Sequence, residues 1–274
     1  MPGMSHAFPA CIASLALSAA AAHADLKLVQ KTTMGGDLAK AGSERAQKMG
    51  TSSVGDTTTT TYLKGKRARS ESGGRVTIFD GARTLLLNPN KKTYQAIPTT
   101  QEAMANPMLA LMDMKADVSV KAGGKTKVIA GKTAKNYVLL MTMQIGLKSG
   151  TLPKKNEGTE PTMPKIPPIT STTEIWAAEF AGIASNAKLL AQGFSMLPGM
   201  KDLPQKLSAV KGIGLESTMT QKMMGRTLVV TLKTVSISEA ALEDSLFIAP
   251  KGWKQVPYEA PAMPPGLGFP GGER

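Results

Sequence analysis

Residues 57–97 read TTTTTYLKGKRARSESGGRVTIFDGARTLLLNPNKKTYQAI, and this stretch decides the fold. Its five threonines and Tyr62 make a β-branched run suited to a pleated, half-buried surface. Lys64-Gly65 leads into residues 66–71, where Arg67 and Arg69, two apart, share one face. Gly73-Gly74 turns the chain into residues 76–79, and Asp80-Gly81 is a two-residue hairpin signal. Asn88-Pro89-Asn90-Lys91 then separates residues 84–87 from 93–97. Short strands spaced about ten residues apart predict an antiparallel sheet or barrel.

Working outward, residues 26–30 (LKLVQ) open as a strand, and residues 35–55 read as a loop or a short helix around 43–48. After the meander, Asn106-Pro107 is an N-cap and N1 pair for a helical turn over 108–112. Met104, Met108 and Met112 recur every four residues, a stripe suited to covering a sheet. Strands resume at 117–121, turn at Gly123-Gly124, and continue through 127–130 into the long run 136–145. There Tyr137, Leu139, Met141, Met143 and Ile145 alternate onto one face, and Val138 and Leu140 make the other half apolar. Such a strand is expected to be covered on both faces. Residues 148–170 are Pro-rich and polar, an extended loop within the domain. Residues 172–177 are a strand, and 183–197 an amphipathic helix. Residues 215–223 and 227–236 form a long hairpin, 238–246 a helical turn, and 247–253 the closing segment. The boundaries are thus a signal peptide over 1–24, one domain over 25–256 with the Pro-rich insertion at 146–171, and a disordered Pro/Gly-rich tail over 257–274.

The amino terminus carries a second decisive feature. Residues 8–22 (FPACIASLALSAAAA) are an apolar run of small residues ending in the A-x-A site Ala22-His23-Ala24, which predicts a cleaved signal peptide and export to the periplasm. The run is too short and alanine-rich for a transmembrane helix, which needs about 20 apolar residues. Cleavage removes the single cysteine, Cys11, and both histidines, His6 and His23. The mature chain then has no disulfide, thiolate metal site, cysteine nucleophile or imidazole base. We therefore expect no enzyme, no catalytic residues, no metal and no cofactor. A carboxylate-based enzyme would need paired acids, and Glu174 with Glu179 is the pair to watch.

The net charge of +13, from 33 basic and 20 acidic residues, favours an anionic partner such as a membrane surface. Export, and aromatics at only 4%, argue against nucleic acid. Two Gly-Lys-Thr tripeptides, at 124–126 and 131–133, lack the upstream glycine and the strand-to-helix setting of a phosphate loop, and read as hairpin turns. Arg67 and Arg69 could grip an anionic headgroup or carbonyl through bidentate donors.

Four segments together resemble the LolA-like family, the periplasmic outer-membrane lipoprotein carriers and their uncharacterised relatives. They are residues 62–69 (YLKGKRAR), 129–137 (IAGKTAKNY), 173–176 (TEIW) and 247–253 (FIAPKGW). The resemblance implies a mainly β fold with a few helices, a curved antiparallel half-barrel sheet whose concave face is covered by helices. It also implies an apolar cavity that takes a lipid, an acyl chain or an acylated protein. On that basis Tyr137, Leu139, Met141 and Met143 of one strand, with Leu228, Val230 and Leu232 of another, are the cavity candidates, and Arg67 and Arg69 the headgroup candidates. The alternative is an envelope protein-interaction or stress-sensing module on the same scaffold, engaging a partner protein through the Pro-rich loop.

Overall fold

A computed structural model describes residues 25–48, 55–97, 112–147, 167–183, 202–223 and 225–258. The signal peptide expected over 1–24, the methionines of 104–108, most of the loop expected over 146–171, the helix expected over 183–197 and most of the tail expected over 257–274 lie outside the described residues.

Twelve strands form one curved, unclosed sheet. In chain order they are β1 (Leu26–Gly35), β2 (Thr57–Lys64), β3 (Arg67–Ser72), β4 (Arg75–Phe79), β5 (Thr84–Asn88), β6 (Thr93–Ile97), β7 (Met112–Ile129), β8 (Lys132–Leu147), β9 (Ile169–Ala178), β10 (Ile213–Met223), β11 (Arg226–Glu239) and β12 (Lys254–Gln255). Across the sheet the order is β12-β6-β5-β4-β3-β2-β1-β11-β10-β9-β8-β7. Every pairing is antiparallel except the two-residue β12 against β6. The expected mainly β half-barrel is therefore the observed fold.

The meander of residues 57–97 forms as its turn chemistry dictates, with one shift. The β4–β5 turn is centred on Gly81-Ala82, because Asp80 stays in the ladder and donates its N–H to the Arg83 carbonyl at 3.1 Å. The Asp80 carboxylate then accepts from the N–H groups of Ala82 (2.9 Å) and Arg83 (2.7 Å).

Gly123-Gly124 does not turn the chain. β7 is one strand of 18 residues with a register shift between Ala122 and Thr126. At Gly123 a Cβ would collide with the Asn136 side-chain oxygen, so the glycine makes room for Asn136, while Gly124 takes φ +70°. The pair is a bulge. The hairpin turn comes at Ala130-Gly131, both with positive φ, so the second Gly-Lys-Thr does flank a turn and the first does not. Residues 108–112 also depart from expectation at their end, since Met112 begins β7.

Two α-helices stand among the described residues: α1 (Asp37–Lys48), lying against β11 and β1, and the short α2 (Leu203–Leu207). Asp37 in the first turn of α1, with Arg45 and Lys48 in its last, matches the helix dipole. The helical turn expected over 238–246 is displaced. β11 runs to Glu239, and a 3-10 turn follows at Asp244–Phe247.

Bulges bend the sheet near its middle, between Val29 and Gln30 in the β1–β11 pairing and between Gly214 and Glu216 in the β10–β9 pairing. There the Gln30 amide of β1 donates to the Gly214 carbonyl of β10 at 3.0 Å, although β11 lies between them. In a flat sheet those strands stand about 9.6 Å apart, two interstrand spacings, and side chains project away from the plane. The contact requires the sheet to fold toward the Gln30 side, which is the concave face.

Candidate functional site

Residues directly opposite on antiparallel strands share a face, so the register carries a face across the sheet. Gln30 is on the concave face, and so is Thr32 two residues on. Thr32 is opposite Leu232, Leu232 opposite Ser217, Ser217 opposite Ile175 and Ile175 opposite Tyr137. The next row runs Val120, Leu139, Thr173, Met219, Val230 and Met34. The third runs Val118, Met141, Ser171, Gln221 and Leu228. The seven cavity candidates from β8 and β11 thus lie on one concave surface, three strand spacings apart, and none of the three rows contains a charged side chain.

Burial grades across this surface. Val118 and Tyr137 are buried, and Leu203 and Leu207 of α2 pack there with Leu139, Met141 and Met143. Leu228, Val230 and Leu232 are half-buried, and Met34 is 43% exposed. The opposite face of β8 is not covered as expected: Leu140 is 42% exposed and Thr142 and Gln144 are exposed. Their partners on that face, Thr172 and Thr170 of β9 and Ser119 and Lys115 of β7, are polar, so solvent suits it.

The sequence reading overlooked the members of the surface outside β8 and β11. Met219 and Gln221 of β10 continue the rows, and Ser171 of β9 sits between Met141 and Gln221. Ser171 is 4% exposed, and its Oγ finds no hydrogen-bond partner among the described residues. The strict alternation Ile169, Ser171, Thr173, Ile175 in β9 was the available signal.

Arg67 and Arg69 are placed elsewhere. The uninterrupted β1–β2 and β2–β3 registers put Arg69 opposite Tyr62 and Tyr62 opposite Lys27, one residue out of phase with Leu26 and Leu28. Both arginines are therefore on the convex face, away from the cavity candidates. Their guanidiniums hold a strap, residues 242–253. Arg67 donates to Asp244 at 2.7 Å and lies 5.2 Å from the Phe247 ring centroid. Arg69 donates to Glu71 at 2.6 Å and to the Leu246 carbonyl at 3.1 Å. Beneath the strap Phe247, fully buried, joins Ile78, Leu85 and Leu87 in a second core.

Lys64 completes this clasp, donating to the Leu242 carbonyl at 2.5 Å and pairing with Asp244 at 3.1 Å and Asp25 at 3.4 Å. Asp25 in turn accepts the Leu242 N–H at 2.8 Å. Hydrogen bonds from Arg67 first, then Lys64, hold the Asp244 carboxyl below its ordinary range. The hydrogen bond to Asp244 raises the Lys64 ammonium above its own, against partial desolvation and with help from Asp25.

The carboxylates are dispersed. Glu174 accepts from Asn136 at 2.9 Å, Glu179 pairs with Lys135 at 3.2 Å, and Asp117 pairs with Lys206 at 3.4 Å. Glu239 pairs with Lys132. No group of three or more potential metal ligands converges among the described residues.

No family model and no curated protein matches the chain. Among solved structures it is similar to an uncharacterized conserved protein from Thermus thermophilus, with TM-score 0.40, 9% identity, and coverage of 86% of this chain and 92% of that one. It is also similar to a domain provisionally assigned to outer membrane lipoprotein sorting from Vibrio parahaemolyticus, with TM-score 0.27, 8% identity, and coverage of 81% and 89%. At such TM-scores and identities neither likeness bears on what this chain binds.

Proposed function

We propose that this chain is a periplasmic binding protein that holds a lipid or acylated protein by burying an acyl chain on the concave face of β7–β11. The observation that carries this is the uncharged surface built by Leu139 and Met141 of β8, Met219 of β10, and Leu228 and Val230 of β11, with Ser171 and Thr173 of β9 between them. Each methylene taken from water contributes about 0.8 kcal/mol, so a long chain needs no specific contact to bind firmly. Methionine suits such a surface, because its flexible thioether conforms to chains of different shape. Binding rather than catalysis follows from a mature chain without thiol or imidazole. Export follows from Ala22-His23-Ala24, with Asp25 the first mature residue, and the charge of +13 supports approach to an anionic membrane surface.

The test is native mass spectrometry of the protein purified from the envelope, with extraction and identification of bound lipid and determination of its amino terminus. Copurified acyl-bearing ligand and a start at Asp25 are expected. A ligand-free protein that also takes up no fluorescent acyl probe would overturn the assignment and leave the partner-protein alternative.

A further inference from the structure

The binding surface carries one polar group with nothing to bond to, and it bears on which acyl ligand fits. The inference rests on the acyl-binding assignment above. Ser171 is 4% exposed and its Oγ has no hydrogen-bond partner among the described residues. A buried hydroxyl in that state is costly, and native proteins rarely keep one without a use. Its cross-strand neighbours are Met141 on β8 and Gln221 on β10, and Val118 and Leu228 extend the row on either side. No cation stands in that row or in the row of Leu139 and Met219. The row on the other side, through Met143 and Ile169, has Arg226 opposite Met223, exposed and two strands away on β11, so an ionised carboxylate beside Ser171 would lack an adjacent counter-charge. A neutral carbonyl oxygen has no such penalty, and it accepts the one hydrogen bond the hydroxyl can donate.

We propose that Ser171 Oγ donates a hydrogen bond to the carbonyl oxygen of a neutral acyl ester or amide. The site then takes esterified or amidated chains in preference to free fatty acids or bare hydrocarbon. Ser171 acts as the specificity element, and the apolar rows supply the affinity.

The experiment compares displacement of a bound fluorescent acyl probe by dodecane, laurate and methyl laurate, using the mature protein and its Ser171→Ala and Ser171→Thr variants. An N-lauroyl peptide and dilauroylglycerol are added as two further competitors. The wild type should bind methyl laurate about tenfold more tightly than dodecane or laurate at neutral pH. Ser171→Ala should abolish that preference while keeping dodecane affinity, and Ser171→Thr, which retains the hydroxyl, should restore it. Thermal melts confirm that both variants fold. Whether the peptide or the glyceride binds better tells an acylated protein from a lipid as the source, and a preference for either over laurate supports the carbonyl contact. An ester preference that survives Ser171→Ala, or a wild type indifferent among the competitors, overturns the role of Ser171 and leaves the apolar surface intact as a binding site. A wild type that binds no probe overturns both.

Discussion

Gln30 and Gly214 are hydrogen-bonded at 3.0 Å although a whole strand separates β1 from β10. The same amide reaches Thr234 Oγ1 at 3.2 Å, and Thr234 donates to the Leu215 carbonyl at 2.6 Å. This relay ties together the two bulges that bend the sheet. Gln30→Ala leaves the Gly214 carbonyl facing a void, with an expected loss of about 1–3 kcal/mol. At this chain length that lowers the melting temperature by about 2–4 °C per kcal/mol, readable by calorimetry. An unchanged melt would show that the bend does not depend on the relay.

The strap should respond to pH at both extremes. Asp244 has a lowered pKa in the fold, so its contribution is present above the ordinary value of 3.8 and is lost as pH falls through the lowered one. Lys64 has a raised pKa, so its contribution is present below 10.5 and is lost as pH rises through the raised one. The protection of backbone amides in residues 242–253, read as the ratio of intrinsic to observed hydrogen-exchange rate at each pH, should therefore be greatest in the broad neutral range and fall at either end. Asp244→Asn should flatten the acid limb and leave the meander of β2–β6 protected.

Two glycines should give opposite results. Gly123→Ala drives a methyl into the Asn136 side chain and breaks its bond to Glu174, with an expected loss of about 1–3 kcal/mol. Gly42 lies exposed inside α1 with nothing near its missing Cβ, so Gly42→Ala should stabilise by about 0.5–1 kcal/mol. Urea titration of both variants checks the pair.

The two faces of β8 should differ in ligand uptake. Met141→Glu puts a carboxylate on the concave surface and should lower acyl-probe affinity about tenfold or more. Leu140→Glu, one residue away on the convex face, should leave it unchanged. Equal effects would mean that the probe does not use the concave face.

Local chemistry made much of this molecule legible in advance. β6 lies where the turn Asn88-Pro89-Asn90-Lys91 puts it, because the Asn88 carboxamide accepts the Lys91 N–H and Pro89 cannot extend the strand. Alternation along β8 grouped Tyr137, Leu139, Met141 and Met143 correctly onto one face, since strand period is a property of the backbone. What escaped was what register and burial decide. A Gly-Gly pair is compatible with a turn or a bulge, and only the Asn136 side chain packed against Gly123 selects the bulge. Arg67 and Arg69 were paired by spacing, but which face they occupy depends on pairings through β2 and β1. Arg67 finds Asp244, and Arg69 the Leu246 carbonyl, each 177 residues away and beyond any local pattern. Ser171 fell inside the insertion expected over 146–171, and only the start of β9 at Ile169 brings it into the sheet.

The sheet has two ends, and they are finished by different means. At one end β12 offers two residues of edge, too few to template anything. At the other β7 offers 18, enough to nucleate a fibril if it were flat and apolar. Exposed Asp113, Lys115, Lys121 and Lys125 line that edge strand, and the Gly123-Gly124 bulge breaks its straight run. A second copy arriving edge to edge would meet a kinked template and a row of solvated ions. An open sheet thereby avoids polymerising with itself.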